Sequence, residues 1–200
     1  MPEVLAHASP RSNADLMVAC HTLGYLRDDD TVLDATYGKG TFWRKYRPAL
    51  LVTNDLKQST DAAHHYDFRS LPNEWASFDV VVLDPPYKLN GTPDKREAGM
   101  DSRYGVDVPA TWQGRMALCE QGIIAVAPLA SRVLMVKCMD QVSSGKVRWQ
   151  TRIFADVAEA QGFRLEDSLL MRSGRPQPDG RSQQHARRNF STLLVLERVR

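Results

Sequence analysis

The chain has 200 residues, of which 42% are hydrophobic and 25% are charged, and its formal net charge is +2. This composition excludes disorder of the whole chain, and no apolar run approaches the roughly 20 residues that span a bilayer. We expect one domain over residues 1–200. The N-terminus has no apolar signal region, and the three cysteines form no CxxC pair. These features predict a cytoplasmic protein with reduced thiols and without a disulfide framework, a metal site or a membrane partner.

Alternating apolar patterns predict strands and helices. In chain order they are helix 13–25, strands 31–35, 49–54, 65–68 and 78–83, helix 111–127, strand 132–137, helix 147–160, and strands 163–171 and 192–199. The pattern of strand 65–68 is the weakest of these. The last two strands flank a loop and predict a hairpin, which makes one of them antiparallel. We therefore predict an α/β, Rossmann-like fold with a mostly parallel seven-stranded sheet and an antiparallel C-terminal strand.

Two stretches rich in glycine, proline and charged residues interrupt this pattern. They lie at about residues 88–109 and 173–189 and predict long loop insertions in the domain. The second overlaps the most basic part of the chain, since residues 172–188 hold five arginines and one acidic residue. Residues 1–100 have a charge balance of −3, and residues 101–200 one of +5. This asymmetry favours an anionic partner for the second half, although a solvated basic loop is the alternative.

The turn after the first strand, Asp34 to Thr41, predicts a ligand-binding loop. Gly38 and Gly40 let the backbone turn sharply and approach a ligand without a Cβ clash. The turn is neither a P-loop nor a GxGxxG fingerprint, and Asp34 argues against a polyanionic ligand. A ligand with a cationic or hydroxyl-bearing part fits better. A plain strand-to-helix turn is the alternative.

Acidic residues also lie at the end of the second predicted strand and within the third, toward the carboxyl edge where ligands of parallel sheets bind. Asp55 ends the second strand and can accept hydrogen bonds from vicinal ribose hydroxyls, or it can cap a helix. Asp67 can accept a hydrogen bond from an adenine amino group, and Phe68 can pack on the ring. For that pair a purely structural role is equally open.

The most specific motif is Asp84-Pro85-Pro86-Tyr87, directly after the Val-rich strand. The two prolines make a stiff turn that presents carbonyl acceptors and lacks two backbone donors. The Asp84 carboxylate and the Pro85 carbonyl can together accept both hydrogens of an exocyclic amino group. This favours a tetrahedral nitrogen whose lone pair is aimed at an electrophile, while Tyr87 stacks on the base.

These two motifs resemble those of the S-adenosylmethionine-dependent amino-methyltransferases that modify DNA adenine N6 or cytosine N4 (the DPPY-motif family). The order of the two motifs, about 50 residues apart, is also similar. Tyr37 stands where this family usually has Phe, and Ser9-Pro10 resembles its segment near the methionine moiety. The resemblance implies S-adenosyl-L-methionine as cofactor. The cofactor-binding positions that it implies are Pro10, Asp34, Ala35, Thr36, Tyr37, Gly38, Gly40, Asp55, Asp67 and Phe68.

The resemblance also implies a substrate class, because Asp at the first motif position is typical of adenine-specific members. We predict a site-specific DNA-methyltransferase acting on adenine N6. The basic segments supply candidate nucleic-acid contacts at Lys88, Arg103, Arg172, Arg175, Arg181, His185, Arg187 and Arg188. Lys137, at the end of strand 132–137, faces either the cleft or solvent.

Three alternatives stay open at this point. An RNA base methyltransferase fits a compact basic domain. The small surface available for reading bases also fits a catalytically silent subunit that supports an active partner. The same feature is compatible with a homodimer. An NAD-dependent oxidoreductase uses a similar fold and ribose-binding acid, although the missing GxGxxG argues against it.

Overall fold

The computed structural model describes residues 5–89, 109–172, 184–186 and 188–199. Its strands are β1 (Thr31–Asp34), β2 (Leu50–Thr53), β3 (Phe78–Leu83), β4 (Ala130–Cys138), β5 (Gln141–Ser143), β6 (Lys146–Arg148), β7 (Phe163–Arg172) and β8 (Phe190–Arg198). Its α-helices are α1 (Asn13–Thr22), α2 (Trp112–Val126) and α3 (Gln150–Glu159). Short 3₁₀ turns cover Thr41–Arg44 and Ala127–Leu129.

Six of these strands form one sheet in the order β2-β1-β3-β4-β8-β7. Strands β2, β1, β3 and β4 are parallel, whereas β8 runs antiparallel to both β4 and β7. The predicted α/β class and the antiparallel C-terminal strand are therefore confirmed. The sheet order reverses at β1, between β2 and β3, and this is the position where α/β sheets open a crevice at their carboxyl edge.

Helices cover both faces of the sheet because the central strands are apolar on both sides. Along β3, Val80 and Val82 belong to the core cluster that contains the buried face of α1. Val81 and Leu83 belong to the opposite cluster, with residues of α2 and α3. All four side chains are fully buried, and each contributes about 1.5–3 kcal/mol relative to exposure. This three-layer packing fixes the end of β3, where Asp84 begins.

The structure corrects two of the predicted elements. Residues 65–68 do not form a strand, so the described part of the sheet has six strands rather than seven. The side-chain amide of Asn54 instead donates to the carbonyls of Ala35 and Tyr66 and accepts from the Tyr66 N–H. These bonds satisfy the backbone that a strand would have paired, and only an isolated bridge between Asn54 and His64 remains there.

The third predicted helix began too early, at residue 147. Helix α3 begins at Gln150, and the preceding residues form the separate two-stranded hairpin β5–β6. Ser144 and Gly145 make its turn with φ values of 51° and 72°, a pair of left-handed residues that suits a two-residue hairpin loop. Both strands have only three residues, which is too short for an alternating pattern to show in the sequence.

Other predictions fall partly or wholly outside the described residues. The loop insertions at 88–109 and 173–189 lie largely there.

Cys20, Cys119 and Cys138 are all buried and unpaired, as expected. Burial raises the pKa of the Cys20 and Cys119 thiols to about 12. Within the described ranges, none of the helices combines the length and the apolar character that a membrane crossing requires.

Candidate active site

A cavity of about 640 Å³ opens at the carboxyl ends of the parallel strands. Ligand sites of small molecules and cofactors commonly have volumes of about 300–1,000 Å³. Segments that follow β1, β2 and β3 all contribute to its wall, as the sheet topology predicts. Its lining includes Asn13, Ala35, Thr36, Tyr37, Gly38, Thr41, Phe42, Asp55, Phe68, Asp84 and Pro86.

The glycine turn after β1 is held from below by Asp34. This carboxylate is fully buried and accepts hydrogen bonds from the Trp43 indole N–H at 2.7 Å and the Thr36 backbone N–H at 3.0 Å. Burial raises its pKa to about 7, against the lowering effect of these bonds, and the charges of Asp84 and Asp55 raise it further. Asp34 therefore lies beneath the turn and does not line the cavity.

Gly38 and Gly40 adopt the left-handed conformations that the turn requires, with φ of 57° and 60°. A Cβ atom on Gly40 would lie 2.6 Å from the Tyr37 hydroxyl oxygen. The Tyr37 side chain thus covers Gly40 closely, and its hydroxyl also accepts a hydrogen bond from Arg47. Tyr37 and Gly38 line the cavity at the predicted cofactor loop, whereas Gly40 does not.

Asp55 joins the glycine turn to the end of β2. One carboxylate oxygen accepts from the Gly38 N–H at 2.7 Å, and the other accepts from the Lys57 N–H at 2.8 Å. The residue is 8% exposed and lines the cavity. A carboxylate offers about four lone-pair sites, so acceptor capacity remains on both oxygens for a ligand.

Phe68 and Asp67 have different surroundings, although they are neighbours in sequence. Phe68 lines the cavity and packs on α2, where a Cβ atom on Gly122 would lie 2.5 Å from its ring. Asp67 instead binds Arg69 with an N–O distance of 2.6 Å, and this hydrogen-bonded pair lowers the pKa of the Asp67 carboxyl. The structure brings Phe68, but not Asp67, to the cavity wall.

The Asp84-Pro85-Pro86-Tyr87 turn lies at the end of the cavity, where Asp84 and Pro86 form part of the wall. The Asp84 backbone N–H donates to Thr36 Oγ1 at 2.6 Å, which ties this turn to the glycine turn. The Pro85 carbonyl accepts from the Tyr87 N–H at 2.7 Å and keeps a second lone pair. The Asp84 side chain is 24% exposed, so a ligand can still reach its carboxylate.

Two glutamines that the sequence analysis missed brace this turn from behind. The Tyr87 carbonyl accepts from Gln141 Nε2 at 2.8 Å and from Gln150 Nε2 at 2.6 Å. Gln150 is fully buried and also accepts from the Met139 N–H. Neither glutamine follows a recognisable motif, so no local sequence signal identifies them.

The sequence left Lys137 undecided between the cleft and solvent, and the structure buries it beside Asp84. Its side chain is 3% exposed, and its Nζ lies 3.8 Å from Asp84 Oδ2. Nζ also donates to Asn13 Oδ1, and Asn13 Nδ2 donates to Thr41 at 3.1 Å. Burial raises the pKa of Asp84, while the Lys137 charge opposes that rise. A lysine inside the apolar run of β4 was the available signal.

The remaining predicted residues are distributed as follows. Pro10 is buried just before α1 and does not line the cavity, which Asn13 reaches instead. Lys88 is half-buried beside the Asp84-Pro85-Pro86-Tyr87 turn, and its carbonyl accepts from Arg115. Arg172 and His185 are exposed, and Arg188 is half-buried. The predicted contacts at Arg103, Arg175, Arg181 and Arg187 lie outside the described residues.

Comparison with known proteins identifies the fold but not a family. No protein-family model and no curated protein matches the sequence. Magnesium protoporphyrin IX methyltransferase from Synechocystis PCC 6803, with bound SAM, is a structural neighbour with a TM-score of 0.56 and 14% identity, covering 93% of this chain and 77% of its own. A Pyrococcus horikoshii protein assigned as an RNA methyltransferase has a TM-score of 0.58 and 10% identity, covering 94% and 83%.

NSun6 from Pyrococcus horikoshii, crystallised with SFG, has a TM-score of 0.60 and 13% identity. That alignment covers 96% of this chain and 53% of the neighbour, so the present chain corresponds to about half of it. Together these likenesses show that the chain has the Rossmann-like fold of methyltransferases.

Proposed function

We propose that this protein is an S-adenosylmethionine-dependent methyltransferase that acts on an exocyclic amino group of a nucleic-acid base, with adenine N6 in DNA as its target. One observation carries the proposal. A single cavity is lined both by the ribose-binding candidate Asp55 and by Asp84 of the catalytic turn. A cofactor and a target amino group bound at these two ends would meet inside one site.

The residues of the cavity fit S-adenosylmethionine. Asp55 keeps free lone pairs for the ribose hydroxyls, and Phe68 offers an apolar wall for the adenine ring. The backbone of the glycine turn, around Gly38, lies open to the methionine part. When bound, this cofactor supplies a methyl group activated by a positively charged sulfonium. The structural neighbour from Synechocystis, which has the same fold, was crystallised with SAM.

The chain's own contribution to the chemistry is to orient the target nitrogen. Asp84 and the Pro85 carbonyl accept the two amino hydrogens, which turns the nitrogen lone pair out of conjugation with the ring. Tyr87 holds the base by stacking, and two glutamine amides fix the Tyr87 backbone. The nitrogen would bond to the methyl carbon as the carbon–sulfur bond of the cofactor breaks and leaves a neutral thioether. The Asp84 carboxylate would receive the proton that the nitrogen loses.

The choice of DNA adenine rests on the resemblance of the motif, in which Asp rather than Ser occupies the first position. The basic second half of the chain supports an anionic polymer as substrate. In duplex DNA the target base would have to leave the stack to reach Asp84.

The test is methyl transfer from radiolabelled S-adenosylmethionine to matched unmethylated DNA and RNA pools, followed by digestion and identification of the modified nucleoside by mass. We expect N6-methyldeoxyadenosine. Asp84→Ala should abolish transfer but keep cofactor affinity, whereas the exposed-site control Glu159→Ala should keep both.

Three other outcomes would change the assignment. Label in RNA alone would replace DNA by RNA as the substrate. Cofactor binding without transfer to either pool would favour a silent subunit that needs a partner. Normal turnover of Asp84→Ala would refute the catalytic role of the turn.

A further inference from the structure

Two arginine–tryptophan stacks lie side by side around the β5–β6 hairpin. The Arg148 guanidinium is 3.6 Å from the centroid of the Trp112 ring, and the Arg188 guanidinium is 4.7 Å from that of Trp149. Trp149 is 47% exposed, which is unusual for so large an apolar side chain. We refer to Trp112, Arg148, Trp149 and Arg188 as the Arg–Trp surface.

Within the part of the chain that the structure describes, acidic side chains do not neutralise the arginines of this surface. Among the described residues, no carboxylate forms an ion pair with Arg148 or Arg188. Their Nε atoms are buried and have no hydrogen-bond partner within the described ranges. By contrast, Arg69, Arg132 and Arg164 each pair with a carboxylate. Unpaired guanidinium groups stacked on indole rings are well suited to bind phosphate groups.

The surface belongs to the same structural unit as the catalytic turn. Gln141 of β5 and Gln150 at the start of α3 both donate to the Tyr87 carbonyl. Ser143 Oγ, also in β5, donates to the Leu89 carbonyl at 3.2 Å. Trp149 is the direct sequence neighbour of both Arg148 and Gln150. These bonds connect the Arg–Trp surface to the turn at which Asp84 would hold the target base.

The basic C-terminal segment reaches the same hairpin. His185 Nε2 lies 3.1 Å from the carbonyl oxygen of Gly145, in the hairpin turn. The sequence analysis assigned His185 and Arg188 to nucleic-acid binding on charge alone. Their packing against the hairpin joins that segment to Trp149, which the sequence analysis did not consider.

We propose that the Arg–Trp surface binds unpaired nucleotides that flank the target base, with the phosphates on Arg148 and Arg188 and a base stacked on Trp149. This inference rests on the proposed function and adds the strandedness of the substrate to it. Bases stack on an exposed indole ring only when they are unpaired, since a duplex hides their faces. Single-stranded nucleic acid also presents a target base without the cost of unstacking it from a duplex.

The test measures binding of a fluorescein-labelled, adenine-containing 12-nucleotide DNA strand by fluorescence anisotropy, with its duplex and the corresponding RNA strand in parallel. We expect the single strand to bind more tightly than the duplex. Trp149→Ala should weaken single-strand binding about tenfold. Arg188→Gln should weaken it as well and reduce the slope of log affinity against log salt by about one. If the two substitutions weaken binding of the RNA strand more than binding of the DNA strand, the result would support the surface and identify RNA as its ligand.

Matched controls come from exposed residues elsewhere in the described chain. Leu50→Ala removes an exposed apolar side chain on β2, and Arg164→Gln removes an exposed arginine on β7. Both should keep wild-type affinity for the strand. Thermal unfolding of each variant identifies any loss of folding, and Arg188→Gln provides a second variant if Trp149→Ala is unstable.

Equal binding of the strand by Trp149→Ala, Arg188→Gln and the controls would overturn the proposal, as would equal losses for duplex and single strand. Binding and methyl transfer, measured separately, distinguish a failure of this proposal from a failure of the proposed function. If the strand binds on this surface but receives no methyl group, the surface stands and the proposed activity fails. If methylation proceeds with an unchanged KM in both variants, the activity stands and the surface fails.

Discussion

Replacing Lys137 by glutamine should shift the acid limb of the pH–rate profile to higher pH. Lys137 Nζ lies 3.8 Å from the Asp84 carboxylate, and its charge lowers a pKa that burial raises. In the proposed mechanism Asp84 and the Pro85 carbonyl each accept one amino hydrogen of the target, and Asp84 must be ionised to do so. Activity therefore falls as the pH drops through the pKa of Asp84, and removing the ammonium group moves that pKa up.

The size of the shift follows from the geometry. Two unit charges 3.8 Å apart interact by about 4 kcal/mol at an effective dielectric constant of about 20. At about 1.4 kcal/mol per pKa unit this is an upper bound of about three units. Solvent reaches part of the Asp84 side chain, which is 24% exposed, and screens the pair. We therefore expect the midpoint of the acid limb to rise by about 1–3 pH units.

The assay is single-turnover methyl transfer with saturating cofactor between pH 5 and pH 9. Glutamine keeps a donor for Asn13, so Lys137→Gln removes the charge with little change in shape. Asn13→Ala is the matched control, because it breaks the hydrogen bond to Lys137 and leaves the ammonium group in place. Its midpoint should stay near that of the wild type. A Lys137→Gln profile that is lower at every pH with an unmoved midpoint would refute the electrostatic argument.

Three further predictions concern residues around the cavity. Gly40→Ala should weaken cofactor binding and lower the free energy of unfolding by about 1–3 kcal/mol, because the Gly40 φ is 60° and the new Cβ would meet the Tyr37 hydroxyl. Calorimetric titration measures the cofactor affinity, and urea unfolding measures the stability. The pKa of Asp34 is about 7 in the folded protein and 3.8 for a free carboxyl, so Asp34 takes up protons on folding. The free energy of unfolding should therefore fall by up to about 4 kcal/mol as the pH rises from 3.8 to about 7. Asp34→Asn should abolish this pH dependence. Gln150→Leu should lower kcat at unchanged cofactor affinity, since the Tyr87 carbonyl loses a donor; wild-type kcat would exclude this bracing role.

The parts of the fold and site that the sequence predicted are those with a local cause. The run Phe78–Leu83 is a strand because β-branched residues buried on both faces favour one, and this strand fixes the position of Asp84. Asp55 lines the cavity because it follows β2 at the carboxyl edge of the sheet, and Phe68 lines the same cavity. Their roles in binding stay predictions, as does the catalytic role of Asp84.

The parts that the sequence missed depend on contacts between distant segments. Lys137 acquires its significance from Asp84 and Asn13, which are far from it in the chain. Gln150 matters because its amide meets the Tyr87 carbonyl 63 residues away. Asn54 replaces a predicted strand by bonding the Tyr66 backbone, a competition that no periodicity records. In each case a polar side chain satisfies buried backbone or charge, and its partner is set by the tertiary fold.

The charge of the cavity helps to discriminate between the cofactors that this fold can hold. The charges of Asp84 and Asp55 both raise the pKa of Asp34, so three carboxylates lie close together at this edge of the sheet, where Lys39 and Lys57 also line the cavity. A dinucleotide would bring a diphosphate with two negative charges into that field. The Gly38 N–H, which could donate to a phosphate, already donates to Asp55. A sulfonium cofactor instead brings a positive charge that the acidic edge stabilises, and this attraction is lost once the methyl group has been transferred. The same carboxylates would thus favour binding of the charged cofactor over its neutral-sulfur product, in agreement with the cofactor proposed above.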